Sequence, residues 1–162
     1  MSTEDKIRKE MIQRFGDAYK SFGLNKLMGH IVALLIYSGE PLSLGDISKY
    51  LHRSKGPVSQ ILKRLRDRKL IRKAWSPENN RQDFYEIEPE IFENAFRNNL
   101  ELIKNNVRIA KQLKSVVKNV KSGEIVTLKQ RMDEMESFYV LMEQHYRNFL
   151  AEWITAREKI YK

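Results

Sequence analysis

The sequence contains no cysteine, which removes disulfides, thiolate zinc sites and a cysteine nucleophile, and fits a reducing cytoplasm. Long apolar runs are missing as well. The longest, Ile31 to Tyr37, falls far short of the roughly 20 residues a membrane span requires. The start, Met1-Ser2-Thr3-Glu4-Asp5-Lys6, has no basic segment followed by an apolar one, so no secretory signal is expected. His30, His52 and His145 each stand without a second ligand at metal spacing, so no metal or other cofactor is expected. There is no nucleophile–base pair, glycine-rich phosphate loop or carboxylate cluster, and Glu134, Glu136 and Glu143 read as charged helix flanks. These absences point to a soluble cytoplasmic protein that is not an enzyme.

One further scarcity is local. Between Lys49 and Trp75 there are ten Lys or Arg and a single acid, Asp67, a local charge of +9. The whole chain also carries +9, from 30 basic and 21 acidic residues, so the remaining 135 residues sum to zero. The excess is therefore a patch, and a patch of this kind is the electrostatic footprint of a nucleic-acid surface.

The apolar spacing assigns elements to that patch. Ile7, Met11, Phe15, Ala18 and Phe22 recur at helical steps, predicting a helix from about Glu4 to Ser21 with a left-handed stop at Gly23. Asn25 caps a second helix whose residues from Leu27 to Ile36 are apolar on nearly every side, so it should be buried. Ser38-Gly39-Glu40-Pro41 ends it. Leu42-Ser43-Leu44 leads into a third helix, with Ser43 and Asp46 as an acidic capping box. After the short turn His52-Arg53, Ser54 opens a fourth helix with Pro57 in its first turn and Val58, Ile61, Leu62 and Leu65 facing inward. Two helices so joined, the second this basic, form a helix-turn-helix. Leu70–Trp75 and Phe84–Ile87 read as strands flanking a turn-rich loop, a wing. Beyond Pro89, apolar residues from Ile91 to Val120 keep helical spacing for about 30 residues. After Ser122-Gly123 a final helix places Ile125, Leu128, Met132, Met135, Tyr139, Met142, Tyr146, Phe149 and Trp153 at alternating steps of three and four, the seam of a coiled coil or antiparallel hairpin. Stripes this long need cover, so a homodimer is expected.

The stretch Gly39-Glu-Pro-Leu-Ser-Leu-Gly-Asp-Ile-Ser-Lys-Tyr-Leu51, followed by Ser54-Lys-Gly-Pro-Val-Ser-Gln-Ile-Leu-Lys-Arg-Leu65, resembles the MarR superfamily of winged-helix repressors. It is most similar to the branch of the glycine-betaine-synthesis regulator (GbsR-like) and its archaeal relatives. That branch has an SKGxVS motif, a tryptophan in the first wing strand, here Trp75, and an aromatic pair with an acid closing the wing, here Phe84-Tyr85-Glu86. Two departures stand out. Lys69 occupies the position where the family usually has Gly before the wing, and the wing keeps only Arg81 of the usual Gly-Asp-Arg tip.

The fold expected is thus mainly α: a winged helix-turn-helix with a small β-hairpin wing and long C-terminal dimerisation helices. Residues 1–22 would join the dimerisation region, 23–88 would form the DNA-binding domain and 89–162 the helical dimerisation region. The function expected is that of a sequence-specific double-stranded DNA-binding regulator, a repressor acting as a homodimer on a pseudo-palindromic operator. Opposite the inward stripe of the fourth helix lie Gly56, Ser59, Gln60 and Lys63. Gln60 can pair with adenine and Lys63 with guanine, Ser59 serves either base, and Gly56 permits close backbone approach. Ser54 starts that helix. Lys55 and Arg64 on its shoulders, with Lys49, Arg53, Arg72 and Lys73, suit phosphate, while Arg81 would enter the minor groove. Dimerisation would use Ile103, Val107 and Ala110 together with the seam from Leu128 to Trp153. A small-molecule effector is conceivable in a cage of Tyr139, Tyr146 and Trp153, by cation–π contact. The same basic face also fits a protein-docking module, an RNA-binding winged helix or an architectural protein.

Overall fold

The computed structural model describes residues 2–75, 82–121 and 123–161 and divides into two units, Met1–Asn94 and Ala95–Lys162. Among the described residues no helix is long and apolar enough to cross a membrane.

In the first unit, α1 (Thr3–Ser21) starts in a capping box between Ser2 and Asp5, and α2 (Lys26–Ser38) starts at Asn25, whose side chain accepts from the Leu27 amide. The two helices cross closely because both are bare at the crossing. A Cβ on Gly29 would lie 2.4 Å from the Phe15 carbonyl oxygen, and one on Gly16 would lie 2.3 Å from His30 Nε2. Short strand β1 (Leu42–Ser43) precedes α3 (Leu44–Tyr50), and α4 (Lys55–Asp67) is followed by the hairpin β2 (Ile71–Ala74) and β3 (Phe84–Ile87). The antiparallel sheet has the order β1-β3-β2, with Leu42 opposite Tyr85 and Arg72 opposite Glu86. Strand β1 is an element the spacing did not reveal. Two residues are too few to display alternation, and they are extended because β3 offers them a free edge.

The core of this unit gathers α2 (Ile31, Val32, Leu34, Leu35), Ile47 of α3, the inward stripe of α4, and Leu70, Ile71 and Tyr85 of the hairpin. Helix α2 is buried on nearly all sides, as its composition predicts. Ser43 and Asp46 form the expected capping box: the Ser43 hydroxyl accepts from the Asp46 amide at 3.1 Å and donates to its carboxylate at 2.6 Å.

Helices α3 and α4 end in the same way. After α3 the amides of His52 and Arg53 reach back to the carbonyls of Lys49 and Ser48, and His52 is left-handed at φ 50°. After α4 the amides of Lys69 and Leu70 reach back to Arg66 and Leu65, and Lys69 has φ 55°. These are Schellman turns whose left-handed position is usually glycine. A second contact holds Lys69 in place, since the Asn94 side-chain amide donates to its carbonyl at 2.8 Å. The departure from the family pattern at this residue is thus a real local strain.

In the second unit, the part of α5 (Ile91–Val117) from Ala95 onward packs antiparallel on α6 (Val126–Ile160), which a single 3-10 turn, Gly123–Ile125, precedes. The Phe96 ring stacks on Tyr146 at 4.3 Å, and near the other end Lys114 pairs with Asp133 and Glu136 at 2.8 and 2.9 Å. Leu100, Ile103, Val107, Ala110 and Leu150 are buried between the helices. A helical hairpin is the form taken by the expected seam.

We expect Lys69→Gly to stabilise the fold by up to about 1 kcal/mol, because glycine removes the left-handed penalty while every backbone bond of the turn remains. Urea unfolding followed by circular dichroism measures it. A loss of stability would show that Lys69 contributes more through its side chain than it costs through its backbone.

Candidate nucleic-acid interface

What α4 displays follows from what it hides. Val58, Ile61, Leu62 and Leu65 are all at most 3% exposed, so at 100° per residue Gly56, Gln60, Lys63 and Asp67 point directly away from the core. Lys55, Ser59 and Arg66 form one shoulder of this stripe, Arg64 and Arg68 the other. Ser54, Lys55, Gly56, Ser59, Gln60, Lys63 and Arg64 are all exposed, as are Lys49 and Arg53 at the two ends of the α3–α4 turn. The structure therefore brings together the α3–α4 group that the sequence nominated. It adds Asp67, which sits on the outward stripe one turn beyond Lys63. Ser54 occupies the N-cap position but makes no side-chain capping bond, contrary to expectation. Its hydroxyl and the first amides of α4 are left toward solvent. Gly56 has open space around it: a Cβ there would meet nothing within 4 Å, and its backbone is ordinary helix.

The charge patch is smaller than its sequence boundaries suggested. Arg72 Nε donates to Glu86 at 2.7 Å, with Glu88 at 3.8 Å from the same guanidinium, and Lys73 pairs with Asp83 at 2.6 Å. The hydrogen bond to Glu86, more than simple charge proximity, also raises the Arg72 pKa. The register explains it, since Arg72 and Glu86 face each other across the hairpin, where opposite charges attract. By contrast, Lys49, Arg53, Lys55, Lys63, Arg64 and Arg66 have no ion pair among the described residues. Among the described residues Lys69, just beyond α4, is likewise without an ion pair, whereas Arg72 and Lys73 are bound within the wing hairpin. Arg81 lies outside the described residues.

Two further nominated sets lie in the second unit. Ile103, Val107 and Ala110, nominated for dimerisation, are already covered by the chain's own helical hairpin. On α6 Leu150 is buried and Met132, Met135, Tyr139, Met142, Tyr146 and Trp153 are all half-buried, whereas Leu128 and Phe149 remain 44% and 49% exposed. Tyr139, Tyr146 and Trp153 cannot form one cage. Seven residues of helix advance about 10.5 Å, so the outer two lie roughly 21 Å apart. The face of Tyr146 is moreover taken by Phe96, and Tyr139 meets Phe138 edge-on at 5.3 Å.

A three-stranded sheet bearing a hairpin wing, beside two helices whose second displays unpaired cations and base-capable side chains, defines the winged-helix class of MarR type. Residues 24–82 match the family model described as MarR family. Among curated proteins, the chain is 21% identical over 89 residues to YvaV of Bacillus subtilis strain 168, covering 55% of this chain and 50% of that protein. It is 20% identical over 85 residues to the HTH-type transcriptional repressor OpcR of the same organism, covering 52% and 45%. The chain thus matches about half the length of these relatives. A crystal structure of a transcriptional regulator shares the fold with a TM-score of 0.77 at 17% identity, over 91% of this chain and 98% of that one.

The ion pairing changes what each cation is expected to do with a duplex. Arg53→Ala should reduce the log–log salt slope of duplex binding by about one unit for each phosphate left without its cation, whereas Arg72→Ala should leave it unaltered. Binding isotherms at several salt concentrations separate the two. A flattened slope for Arg72→Ala would mean that it leaves Glu86 for a phosphate.

Proposed function

We propose that this chain is a sequence-specific double-stranded DNA-binding transcriptional regulator that acts as a homodimer and represses by blocking access to its operator. The observation that carries this reading is the partition of charge. Among the described residues the cations of the α3–α4 turn and of α4 have no acidic partner, while those of the wing hairpin do. Six unpaired like charges on one small surface repel each other, and a polyanion relieves that repulsion. Among them stand side chains that suit base edges: Gln60 for adenine, Lys63 for guanine and Ser59 for either. Ser54 and the exposed first-turn amides of α4 suit a phosphate oxygen, as helix N-termini do.

Dimerisation would rest on the helices of residues 89–162, joined by α1. Its support is the apolar surface that the hairpin of the second unit leaves uncovered, including Leu113, Val116, Leu128, Phe138 and Leu141. A two-fold dimer then reads half-sites about 10 base pairs apart. Placement in the GbsR-like branch rests on the Ser54–Ser59 motif, Trp75 and Phe84-Tyr85-Glu86. The RNA-binding alternative needs open aromatic faces on the basic surface. Of its two candidates, Tyr50 has the Arg8 guanidinium over its ring at 5.4 Å, which leaves Trp75 alone.

Selection of bound sequences from a random duplex library at physiological salt tests the proposal. An inverted repeat is the expected product, and a protein that enriches nothing, or binds only as a monomer, would refute it. With the operator in hand, Gln60→Ala should relax specificity at one position per half-site by about 1–3 kcal/mol. Uniform weakening on all sequences would instead assign Gln60 to phosphate. Gly56→Ala should raise stability by about 0.5–1 kcal/mol through helix propensity, yet weaken operator binding. Unchanged affinity would show that the groove floor stays clear of the α4 backbone.

A further inference from the structure

Asp67 is the single acid between Lys49 and Trp75, and it is exposed on the outward stripe of α4. It is also the last residue of that helix, where the carbonyl end of the macrodipole disfavours negative charge. Lys63 and Arg64 stand four and three residues earlier, the spacings at which helical ion pairs form. Yet Asp67, Lys63 and Arg64 make no ion pair among the described residues, and no side-chain hydrogen bond there engages the Asp67 carboxylate. The charge is therefore held where the helix opposes it, on a surface otherwise suited to a polyanion.

Position along the helix decides what this carboxylate meets. A recognition helix sets its N-terminal residues against base edges, so its C-terminal end lies toward the rim of the groove. From Gly56 to Lys63 the outward stripe spans seven residues, about 10.5 Å, which fits a major groove about 12 Å wide. Asp67 stands about 16.5 Å from Gly56, beyond that width. There a small axial slip of the helix separates open groove from phosphate. Arg64, one turn earlier on the neighbouring shoulder, offers phosphate an unpaired cation. Attraction and repulsion thus stand side by side at this end of α4.

We propose that Asp67 is a specificity-determining residue that acts by repulsion, penalising the mode in which α4 rests on phosphates alone. The proposal rests on the DNA-binding reading given above. With Gln60 and Lys63 engaged on base edges, α4 is held at one depth and one axial position, and Asp67 stays over open groove. On unrelated sequence those contacts are lost, and the cations alone draw the helix along its axis toward the backbone. That slip brings the Asp67 carboxylate against phosphate oxygens, and the like charges weaken the sequence-independent complex.

The test compares the full chain with Asp67→Asn and Asp67→Glu by fluorescence anisotropy, on the selected operator and on an unrelated duplex of equal length. Asp67→Asn should bind the unrelated duplex about three- to tenfold more tightly and the operator within about twofold of the parent, so discrimination falls. Asp67→Glu keeps the charge and should keep the discrimination. The difference between Asp67 and Asn should shrink as salt rises, because the repulsion is screened. Thermal melts should show the Asn variant at least as stable as the parent, since a charge opposed by the helix end is gone. Equal tightening on both duplexes, or no change on either, would overturn the proposal. Weaker operator binding with preference lost at one base pair would also overturn it, and would make Asp67 an acceptor for a base amine. Failure of the DNA-binding reading is distinguishable, since the unaltered chain would then enrich no operator and bind neither duplex, leaving Asp67 no discrimination to set.

Discussion

Burial of Val58, Ile61, Leu62 and Leu65 against α2 and the sheet sets the rotation of α4, and every outward-facing residue of that helix inherits its direction from this contact. A helix has one free angle about its axis, and four apolar side chains at steps of three, one and three leave it almost none. Burying each such side chain is worth roughly 1.5–3 kcal/mol, whereas any single surface charge is worth far less. The apolar stripe therefore decides which residues face outward, and the charges accept that decision. The Ser43–Asp46 capping box fixes where α3 begins, and the left-handed turn at His52 leads the chain from α3 into α4.

The two non-glycine left-handed residues, His52 and Lys69, bracket α4 at either end. Each costs about 1 kcal/mol against glycine, and neither is placed where a core contact demands it. What each supports is the path of the chain into and out of α4. His52 closes the turn carrying Lys49 and Arg53, and Lys69 delivers buried Leu70 to the start of the wing. The Asn94 amide on the Lys69 carbonyl shows the strain being held by a specific hydrogen bond.

Much of this was legible in the sequence because helix caps and apolar stripes are local signals. Asn25, Ser43 with Asp46, and the stripe of α4 each predict their element from neighbours within a turn. What escaped depends on distant partners. Strand β1 exists only because β3 lies beside it, and the Arg72–Glu86 pair depends on hairpin register across a 14-residue separation. The two possible seams of α6 share Met132, Tyr139, Tyr146 and Trp153. They differ in whether Met135, Met142 and Phe149 or their neighbours Glu136, Glu143 and Leu150 lie on the covered side, and at the last of these steps Leu150 is 5% exposed against 49% for Phe149. A pattern of threes and fours contains both seams, and the fit of α6 against α5 chooses between them.

The separation of paired from unpaired cations carries an energetic consequence. Uncompensated charge on α3, α4 and their turn raises the free energy of the compact state through self-repulsion, and acids at neighbouring positions would remove that penalty. The wing hairpin shows such compensation in Glu86, Glu88 and Asp83, so the chain has the means to neutralise a cation where it is not needed. On α4 Asp67 is the lone acid, and Lys63 makes no ion pair among the described residues. A surface left strained in this manner lowers its energy by meeting negative charge, and the gain grows as salt is withdrawn because screening weakens. That surface stores electrostatic energy that a polyanion can release.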